Sequence, residues 1–505
     1  TYNHQDRWAG SAKYQFRMTD RTTITAYTAI VDLASNTPNV KGPTRAQVAQ
    51  YGPNFLLTDN PASPLYYGYN FYQIPTDFDY VGITSDLGRG WTVDSRAYSN
   101  GYHNHQQYNS STAITATSGT DKLNAYRKVG DSSAISHQDH HGTFTAGFWY
   151  EWANTDRYQI PTDPRNWIDV LTPNFHEKFI TQSIQPWAQY RLRLGSRWSI
   201  TIGSKSSQYR QHLNQFSDNG KTIGCINGQV VAGMCVGGVN FVTHSAAYTA
   251  WQPSASLNYR IRDNWTAYAQ YATGNVIPPS SVFDVKSAVV AVTPKPTQTR
   301  TVQWGSVYKS RRFTLDADYY MIQAGNAYSS APDANGNPVY YATADTHTQG
   351  VEVEGNVVLG GGLFMYGNAT RGTARYADTQ RWVASSAANT ETIGITYMRR
   401  AWDIGWFNKR IGPMWNDNGS INQAVAIDPF NITNLFVNYT VKNDGRWRGT
   451  KFRIGINNLL DRHSIVGVTP ASTASNLPAA GDYLSIMAGR SISASVTMGL
   501  SRNRY

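Results

Sequence analysis

The stretch PTQTRTVQWGSVYKSRRFTLDADYYMIQAGNAY, residues Pro296–Tyr328, reads as two strands joined by a short polar turn. Side chains of its second arm alternate between two faces, one with Phe313, Leu315, Ala317, Tyr319 and Met321, the other with Thr314, Asp316, Asp318 and Tyr320. A period of two indicates a half-buried β-strand, because successive side chains of a strand point to opposite sides. A lone hairpin is marginally stable in water. The stretch therefore predicts one unit of a larger sheet.

Hairpins of this kind recur along the whole chain, from Trp8–Arg17 and Thr22–Leu33 to a last strand at Ser491–Ser501. We count about nineteen strands of roughly 10 to 14 residues, a length that suits a tilted bilayer crossing. Short polar turns alternate with long segments, which are predicted to be loops at 34–76, 105–122, 154–179, 212–246, 274–295, 327–346, 377–390, 416–429 and 461–487. Several short turns are followed at once by an aromatic residue, namely Trp91, Trp198, Trp265, Phe313 and Trp402.

Composition decides between the two architectures open to such a chain, stacked soluble sandwiches or one closed barrel. Charged residues are 15% and aromatic residues 13% of the 505 residues. Few charges, many aromatics, and short turns alternating with long loops are typical of bacterial outer-membrane barrels. We therefore predict an all-β fold: one domain, residues 1–505, forming a large antiparallel transmembrane β-barrel in the bacterial outer membrane.

The parity of the strand count predicts missing sequence. If the last strand ends in the periplasm at Tyr505, nineteen strands make the first one run downward from the outside. Single-chain barrels of this kind usually have an even number of strands. We therefore expect that the first strands are missing before Thr1, and three more would give 22.

Four segments of the C-terminal two-fifths carry a family resemblance: TQGVEVEGNVVL (Thr348–Leu359), NITNLFVNYTV (Asn431–Val441), IGINNLLDRHSIVGV (Ile454–Val468) and GRSISASVTMGL (Gly489–Leu500). They resemble the barrel of TonB-dependent outer-membrane receptors. In that family one strand reads Gly-Val/Leu-Glu-x-Glu, and the penultimate strand runs into Asn-Leu-Phe-Asp. Here Leu460 replaces that Phe, and Tyr505 stands where the terminal aromatic is usually Phe.

The resemblance implies a 22-stranded barrel closed by an N-terminal plug, with a TonB box that contacts TonB and the inner-membrane complex that energises transport. A barrel this wide is not filled by its own side chains. We therefore expect the plug to lie in a missing N-terminal segment; the alternative is a pore without a plug. The implied function is import of a scarce, bulky small molecule, first of all a ferric siderophore. Cobalamin, a glycan, or passive diffusion through a porin are the alternatives.

Other functions find little support in the sequence. No Ser lies in a strand–Gly-x-Ser-x-Gly–helix context, and Gly360–Gly362 is a turn without a following helix, so we predict neither an enzyme nor a phosphate loop. The formal charge of +11 comes from scattered basic residues. This favours contact with anionic ligand, outer-membrane lipid and lipopolysaccharide over nucleic acid.

Two kinds of titratable cluster in the sequence are candidates for metal or catalytic sites. His103 and His105 fall at the extracellular mouth, whereas His137, His140 and His141 fall at a periplasmic turn, so the two sets cannot share an ion. No metal site and no cofactor are predicted. Two carboxylate pairs, Asp316 with Asp318 and Glu352 with Glu354, share inward faces. We interpret them as lumenal lining or as salt-bridge partners of a plug.

Three sets of residues are predicted by role. Aromatic and cationic loop residues are candidates for ligand contact, because rings stack on chelator or sugar rings and Arg pairs with anionic chelates: Tyr66, Tyr67, Tyr69, Phe71, Tyr72, Tyr340, Tyr341, Arg381 and Trp382. Cys225 and Cys235 are predicted to form a loop disulfide, since they are the only two cysteines and lie close in sequence. The predicted lipid-facing residues are Phe313, Leu315, Val353, Ile454, Ile456, Val496 and Met498.

Overall fold

The computed structural model of the protein describes residues 4–498 except for 38–41, 54–56, 110, 112, 170–172, 219–220, 223–228, 232–233, 237–241, 278–294, 326–327, 333–337, 343–344, 417–424, 444, 446 and 470–476. Its strands in chain order are β1 His4–Thr19, β2 Thr22–Asn36, β3 Asn70–Gln73, β4 Thr76–Gly88, β5 Trp91–Asn109, β6 Gly119–Gln138, β7 Gly142–Thr162, β8 Phe175–Leu194, β9 Trp198–Asp218, β10 Lys221–Thr222, β11 Gln229–Val231, β12 Met234–Val236, β13 Val242–Arg262, β14 Trp265–Val276, β15 Thr297–Lys309, β16 Phe313–Gly325, β17 Tyr328–Pro332, β18 Pro338–Ala342, β19 Thr346–Gly360, β20 Leu363–Tyr376, β21 Asn389–Arg399, β22 Trp402–Ile411, β23 Met414–Asn416, β24 Val425–Ile427, β25 Phe430–Thr440, β26 Lys451–Asn457, β27 Ile465–Thr469, β28 Tyr483–Ile486 and β29 Ser491–Thr497.

The main sheet has 21 strands, and without the short β3 and β10 it is an antiparallel meander of nineteen long strands. Each long strand pairs with the next long strand along the chain, as β15 does with β16 and β16 with β19. This confirms the predicted all-β fold and the strand count. The Gly360–Gly362 turn shows how tightly β19 and β20 are joined, because its three φ angles are 94°, 62° and 94°, a region that favours glycine.

Several strands are longer than the sequence analysis predicted. Strands β7 and β9 each have 21 residues, and β8 has 20. They extend into segments that were predicted to be loops, at 154–179 and 212–246, because backbone pairing continues there between β7, β8 and β9. At about 2.5 Å of height per residue for a strand tilted by about 40°, 21 residues rise about 50 Å, well beyond an apolar band of about 25 Å.

Alternation assigns each strand an outer and an inner face. Directly paired residues share a face, so Leu315, Ala317 and Tyr319 continue across the ladder into Gly355, Val353 and Val351. The large apolar side chains of this face are exposed, as Leu315 at 43% and Val351 at 47% show. The opposite face is polar. An apolar exterior around a polar interior is the arrangement of a membrane barrel. No helix in the described ranges is long and apolar enough to span a membrane.

The sheet is open along one seam. Among the described residues the first strand, β1, pairs only with β2, and the last strand, β29, pairs only with β26. The two sides of the seam are nevertheless linked at the long-loop end of the molecule. There the helix α1, Arg45–Tyr51, follows β2, and the Nε of Arg45 donates a 3.0 Å hydrogen bond to the buried carboxylate of Asp482, just before β28.

A small apolar core holds the long loops together as one layer. Its buried members come from β23, β24, β25, β27 and β28, with Val48 of α1 packed against them: Met414, Val425, Ile427, Phe430, Val468 and Leu484. The helix starts at a capping box, in which the Thr44 side chain accepts a hydrogen bond from the Gln47 amide and the Gln47 side chain accepts one from the Thr44 amide. The long loops at this end of the sheet are therefore packed together around an apolar core of their own.

Candidate ligand-binding lumen

Four carboxylates form an acidic patch on the inner face of β16 and β19. Asp316 lies directly opposite Glu354, and Asp318 directly opposite Glu352. The hydroxyls of Tyr268 and Tyr366 donate to Asp316 and Glu354 at 3.3 Å each. Like charges directly opposite each other on a sheet are destabilising. In the part of the chain that the structure describes, no Lys or Arg forms an ion pair with any of the four carboxylates to offset this repulsion. The acidic patch is thus suited to bind a cation from outside this sheet.

A second part of the inner face is aromatic and hydrogen-bonded across β5, β6 and β7. The Trp149 indole donates to the Tyr98 hydroxyl at 2.8 Å, and this hydroxyl donates to Glu151 at 2.9 Å. Lys128 pairs with Glu151 at 3.3 Å. We call this connected set, with the two rings described next, the lumenal aromatic network: Tyr98, Tyr102, Tyr126, Lys128, Trp149 and Glu151.

Two half-buried rings, Tyr102 and Tyr126, form the upper end of the network. Tyr102 and Tyr126 stack with centroids 5.1 Å apart and planes 17° apart, and the Lys128 ammonium lies 5.0 Å from the Tyr126 centroid. Below, Tyr27 and Phe78 extend the aromatic lining on β2 and β4, with centroids 6.2 Å apart. Flat rings can hold a planar ligand by stacking, and the charge of the Lys128 ammonium beside them is balanced by Glu151.

The lumenal aromatic network was missed in the sequence analysis, which looked for ligand contacts in loops. The signal was present, because Tyr98 and Tyr102 have the same parity as Asp94 and Arg96, two residues with inward parity on β5. Extending that parity across the ladder to Tyr126 and Trp149 required the register of β5, β6 and β7. A one-residue error in register would have placed every one of these rings outside.

Predicted ligand residues of the first long loop pack mainly on each other. Tyr66 lies 4.9 Å from Tyr67 and 5.0 Å from Tyr69, ring centroid to centroid. Tyr69 is buried, and its hydroxyl donates to the Pro61 carbonyl at 2.9 Å. Contact with Tyr67, first through a side-chain hydrogen bond, raises the pKa of the Tyr66 hydroxyl, which therefore stays neutral and able to donate at physiological pH.

The next two predicted residues, Phe71 and Tyr72, lie in the short strand β3 and point to opposite faces of the sheet. Tyr72 pairs with Gln106, whose parity on β5 is inward, whereas Phe71 pairs with Gln107 on the outward side. Of these two, Tyr72 therefore faces the lumenal aromatic network and Phe71 faces away from it. Tyr340 and Tyr341 lie in β18, which pairs with β17, and their side chains are outside the described part of the molecule.

Trp382 is the centre of a separate cluster in the loop after β20. The Arg375 guanidinium lies 5.2 Å from the Trp382 ring, and the Trp415 ring lies 5.2 Å from the same indole with the two planes tilted by 50°. The neighbouring Arg381 amide donates to the Thr379 hydroxyl at 3.4 Å. The structure therefore separates the predicted residues into a tyrosine cluster in the first loop and a tryptophan cluster in a later one.

The remaining predicted positions are placed as follows. His103 and His105 have outward parity on β5, and His105 is hydrogen-bonded to Asp121 at 2.7 Å. Within the described ranges no group of three His, Cys, Asp or Glu side chains is arranged to hold a metal ion. Cys225 lies outside the described residues, as does the side chain of Cys235, so their disulfide stays a prediction.

The predicted lipid-facing residues all have outward parity. Exposed fractions are 42% for Phe313, 43% for Leu315, 37% for Val353, 51% for Ile454, 53% for Val496 and 60% for Met498, and Ile456 is half-buried. All except Met498, which directly follows β29, lie in strands whose paired neighbours on the same side are also mostly apolar or small, as for Ile454 between Val437 and Ala494.

An apolar exterior around a polar and aromatic interior is the arrangement of a transmembrane β-barrel. The chain belongs to the TonB-dependent receptor family: the family model described as "TonB dependent receptor-like, beta-barrel" matches residues 2–459. Members of this family are transporters and not enzymes. The comparison with curated proteins found no match.

Solved structures with the same fold come from this class of receptor. The unliganded ferric citrate transporter FecA superposes with a TM-score of 0.76 at 14% identity, covering 98% of this chain and 70% of that chain. The copper transporter OprC gives 0.72 at 12%, covering 98% and 72%. The ferric yersiniabactin uptake receptor FyuA from Yersinia pestis gives 0.72 at 12%, covering 97% and 70%. At these identities the likeness shows the fold alone.

Proposed function

We propose that this chain is the barrel domain of an energy-coupled transporter in the bacterial outer membrane and that its ligand is a ferric siderophore. The observation that carries the proposal is the lumenal aromatic network, in which stacked Tyr102 and Tyr126 lie beside the Lys128 ammonium on the inner face. Stacked rings suit the flat chelating groups of a ferric chelate, and the Lys128 ammonium, shared with Glu151, can donate a hydrogen bond to a chelate oxygen. The solved structures that support this choice include receptors for ferric citrate and ferric yersiniabactin.

We also propose that the working barrel contains further strands and a plug. The free edges of β1 and β29 would expose unpaired backbone groups to hydrocarbon, where each costs several kcal/mol, so strands that complete the barrel fit the seam. The acidic patch, which has no cationic partner in the described residues, suits Lys or Arg side chains of a plug. TonB and the inner-membrane complex would then act on that plug.

The test is iron uptake by cells whose own siderophore receptors are deleted and which express the complete receptor. Uptake of radioactive iron is measured with ferric catecholates, hydroxamates and citrate, with and without TonB, and cobalamin uptake is measured alongside. Tyr126→Ala is expected to weaken ligand binding about fivefold, since an aromatic contact is worth about 0.5 to 1.5 kcal/mol. Tyr158→Ala is the control, because Tyr158 has outward parity on β7. Iron uptake that persists without TonB, or equal loss in both variants, would contradict the proposal.

A further inference from the structure

Asp131 is a carboxylate on the outer face of the barrel wall, within the apolar band. It pairs with Ala97 on β5 and with Tyr150 on β7, and both of these residues have outward parity. The next outward residue along β6, Val129, is apolar and 40% exposed. Ala97 is six residues from Trp91 at the short-turn end, so Asp131 lies about 15 Å into a band about 25 Å tall. The carboxylate is therefore close to the middle of the membrane.

No other outward carboxylate of the described strands lies as deep in the band. Each of the others is at least eight residues from the short-turn end of its strand. Glu391, eight residues from Arg399, lies about 20 Å above that end, and its charge is balanced by Arg410 at 3.0 Å. Asp131 differs in having no counterion, since no Lys or Arg of the described residues forms an ion pair with it.

Two serine hydroxyls are the partners of the Asp131 carboxylate. The Ser133 hydroxyl donates to one of its oxygens at 2.6 Å, and the Ser95 hydroxyl lies 3.4 Å from the other. Neither hydroxyl removes the negative charge. An ionisable side chain inside a membrane normally faces protein or water and pairs with another polar group. The lumen does not supply that group, because Asp131 points outward. Strands that complete the seam would lie beside β1, four strands away from β6. A further partner for Asp131 therefore has to come from the surrounding bilayer.

The outer wall is small on one side of Asp131 and bulky on the other. The outward residues of β5 at this depth are all small: Ser95, Ala97 and Ser99. Ala97 and Ser99 also line one end of a groove of about 530 Å³, which crosses β1, β2, β4 and β5 between two rows of outward residues. The outward residues of β7 at the same depth are all aromatic: Phe148, Tyr150 and Trp152. On β8 the outward Ile184 is 45% exposed.

A surface of this kind is complementary to itself about a two-fold axis along the membrane normal. Two copies in one membrane share their orientation, so residues at the same depth meet across such an axis. An axis between β6 and β7 brings Asp131 of each copy next to Tyr150 of the other, and the small side of each copy against the bulky side of the other. The Tyr150 hydroxyl can donate to a carboxylate, and it has no hydrogen-bond partner among the described residues.

We infer that the outward face of β5 to β8 is an interface at which two copies of the receptor dimerise within the membrane, each Asp131 accepting a hydrogen bond from Tyr150 of the other copy. The inference goes beyond the transport function proposed above and requires only that this wall spans a membrane. A second copy supplies what lipid chains cannot, a hydrogen-bond donor at the depth of the carboxylate. Small residues such as Ala97 allow the close approach of backbones that packed interfaces inside membranes use.

Energy transfer between donor-labelled and acceptor-labelled copies of the complete receptor in lipid vesicles, measured while the protein is diluted with lipid, gives the dimerisation constant. Tyr150→Phe removes the donor from both symmetric hydrogen bonds and keeps both rings. It is expected to weaken dimerisation about eightfold, from a little under threefold for each bond. Tyr271→Phe is the matched control and should leave dimerisation unchanged. Tyr271 has outward parity on β14 and is six residues from Trp265, the same depth as the row of Asp131 and Tyr150.

Two further measurements identify the acceptor and the partner. Asp131→Leu is expected to weaken dimerisation at least as much as Tyr150→Phe, and the double variant no more than the stronger single one, because both changes remove the same hydrogen bonds. In cells, a photoreactive phenylalanine analogue in place of Ile184 should give a cross-linked product of twice the receptor's mass.

Four results would overturn the inference. They are a wild-type receptor that stays monomeric at every protein-to-lipid ratio, equal effects of Tyr150→Phe and Tyr271→Phe, additive losses in the double variant, and cross-linking from position 184 to a different protein only.

Discussion

Replacing Val353 by Arg is the sharpest test of the inside–outside assignment. Val353 lies between Ala317 and Ala369 on the outer face and is 37% exposed. It is four residues from Val357, near the short-turn end, so it lies about 10 Å into an apolar band about 25 Å tall. Arg near the midplane of a barrel's lipid face costs about 2 to 4 kcal/mol. This lowers the folding equilibrium constant about 30- to 700-fold.

Thr370→Arg is the matched control. Thr370 lies directly opposite Glu352, so it is one ladder step from Val353 but on the inner face, beside the acidic patch. Arg there gains carboxylate partners instead of meeting lipid, and we expect little loss of stability. Ile454→Arg should lie between the two, because Ile454 is two residues from Phe452 at the short-turn end, where the lipid-face cost is smaller.

The assay is reversible folding of the complete receptor into lipid vesicles, followed against urea by heat-modifiable gel mobility and Trp fluorescence. The expected order of stability is wild type and Thr370→Arg, then Ile454→Arg, then Val353→Arg. Equal destabilisation by Val353→Arg and Thr370→Arg would refute the reasoning. It would mean that β19 and β20 are out of register by one residue, since such a shift exchanges the two faces.

Four further predictions follow from particular contacts. Asp318→Asn/Glu352→Gln should stabilise the barrel without its plug by about 0.2 to 1 kcal/mol in thermal melts, because it removes facing like charges; destabilisation would contradict this. Thiol labelling of the unreduced protein should find Cys225 and Cys235 unreactive, and two reactive thiols would disprove the disulfide. In planar bilayers residues 1–505 should give large unselective currents and the plugged receptor almost none; equal low conductance would point to closure by the loops. The protection of the Trp167 amide, measured as its hydrogen-exchange rate relative to the intrinsic rate at the same pH, should fall only below about pH 4. The Trp167 amide donates to the Asp163 carbonyl, and the Arg165 guanidinium holds the pKa of the Asp163 carboxyl below its usual value, so this contribution is present above the unfolded pKa and is lost as pH falls through the folded one. Loss of protection already near pH 6 would contradict it.

The alternation of apolar and polar residues alone determined the fold class and, for most strands, which side chains face outward and which face inward. The pattern from Phe313 to Met321 needs no tertiary information, because a period of two is a property of the extended backbone. The same local rule placed Val353 and Ile454 outside and Glu352 inside, in agreement with the register. The ends of the strands were harder to predict from the sequence. Strands β7, β8 and β9 continue through polar segments, and these segments are extended because each pairs with an equally long neighbouring strand.

Contacts between distant segments were decided by the tertiary structure. Nothing near Tyr126 in sequence indicates that it stacks on Tyr102, and Arg45 and Asp482 are 437 residues apart. The alignment of Arg300, Gln323, His347 and Arg375 likewise exists only through the register, because these residues belong to four strands whose relative shift the sequence pattern leaves open. Alternation fixes the face on which a side chain lies, but only the pairing of neighbouring strands fixes which side chains stand next to each other.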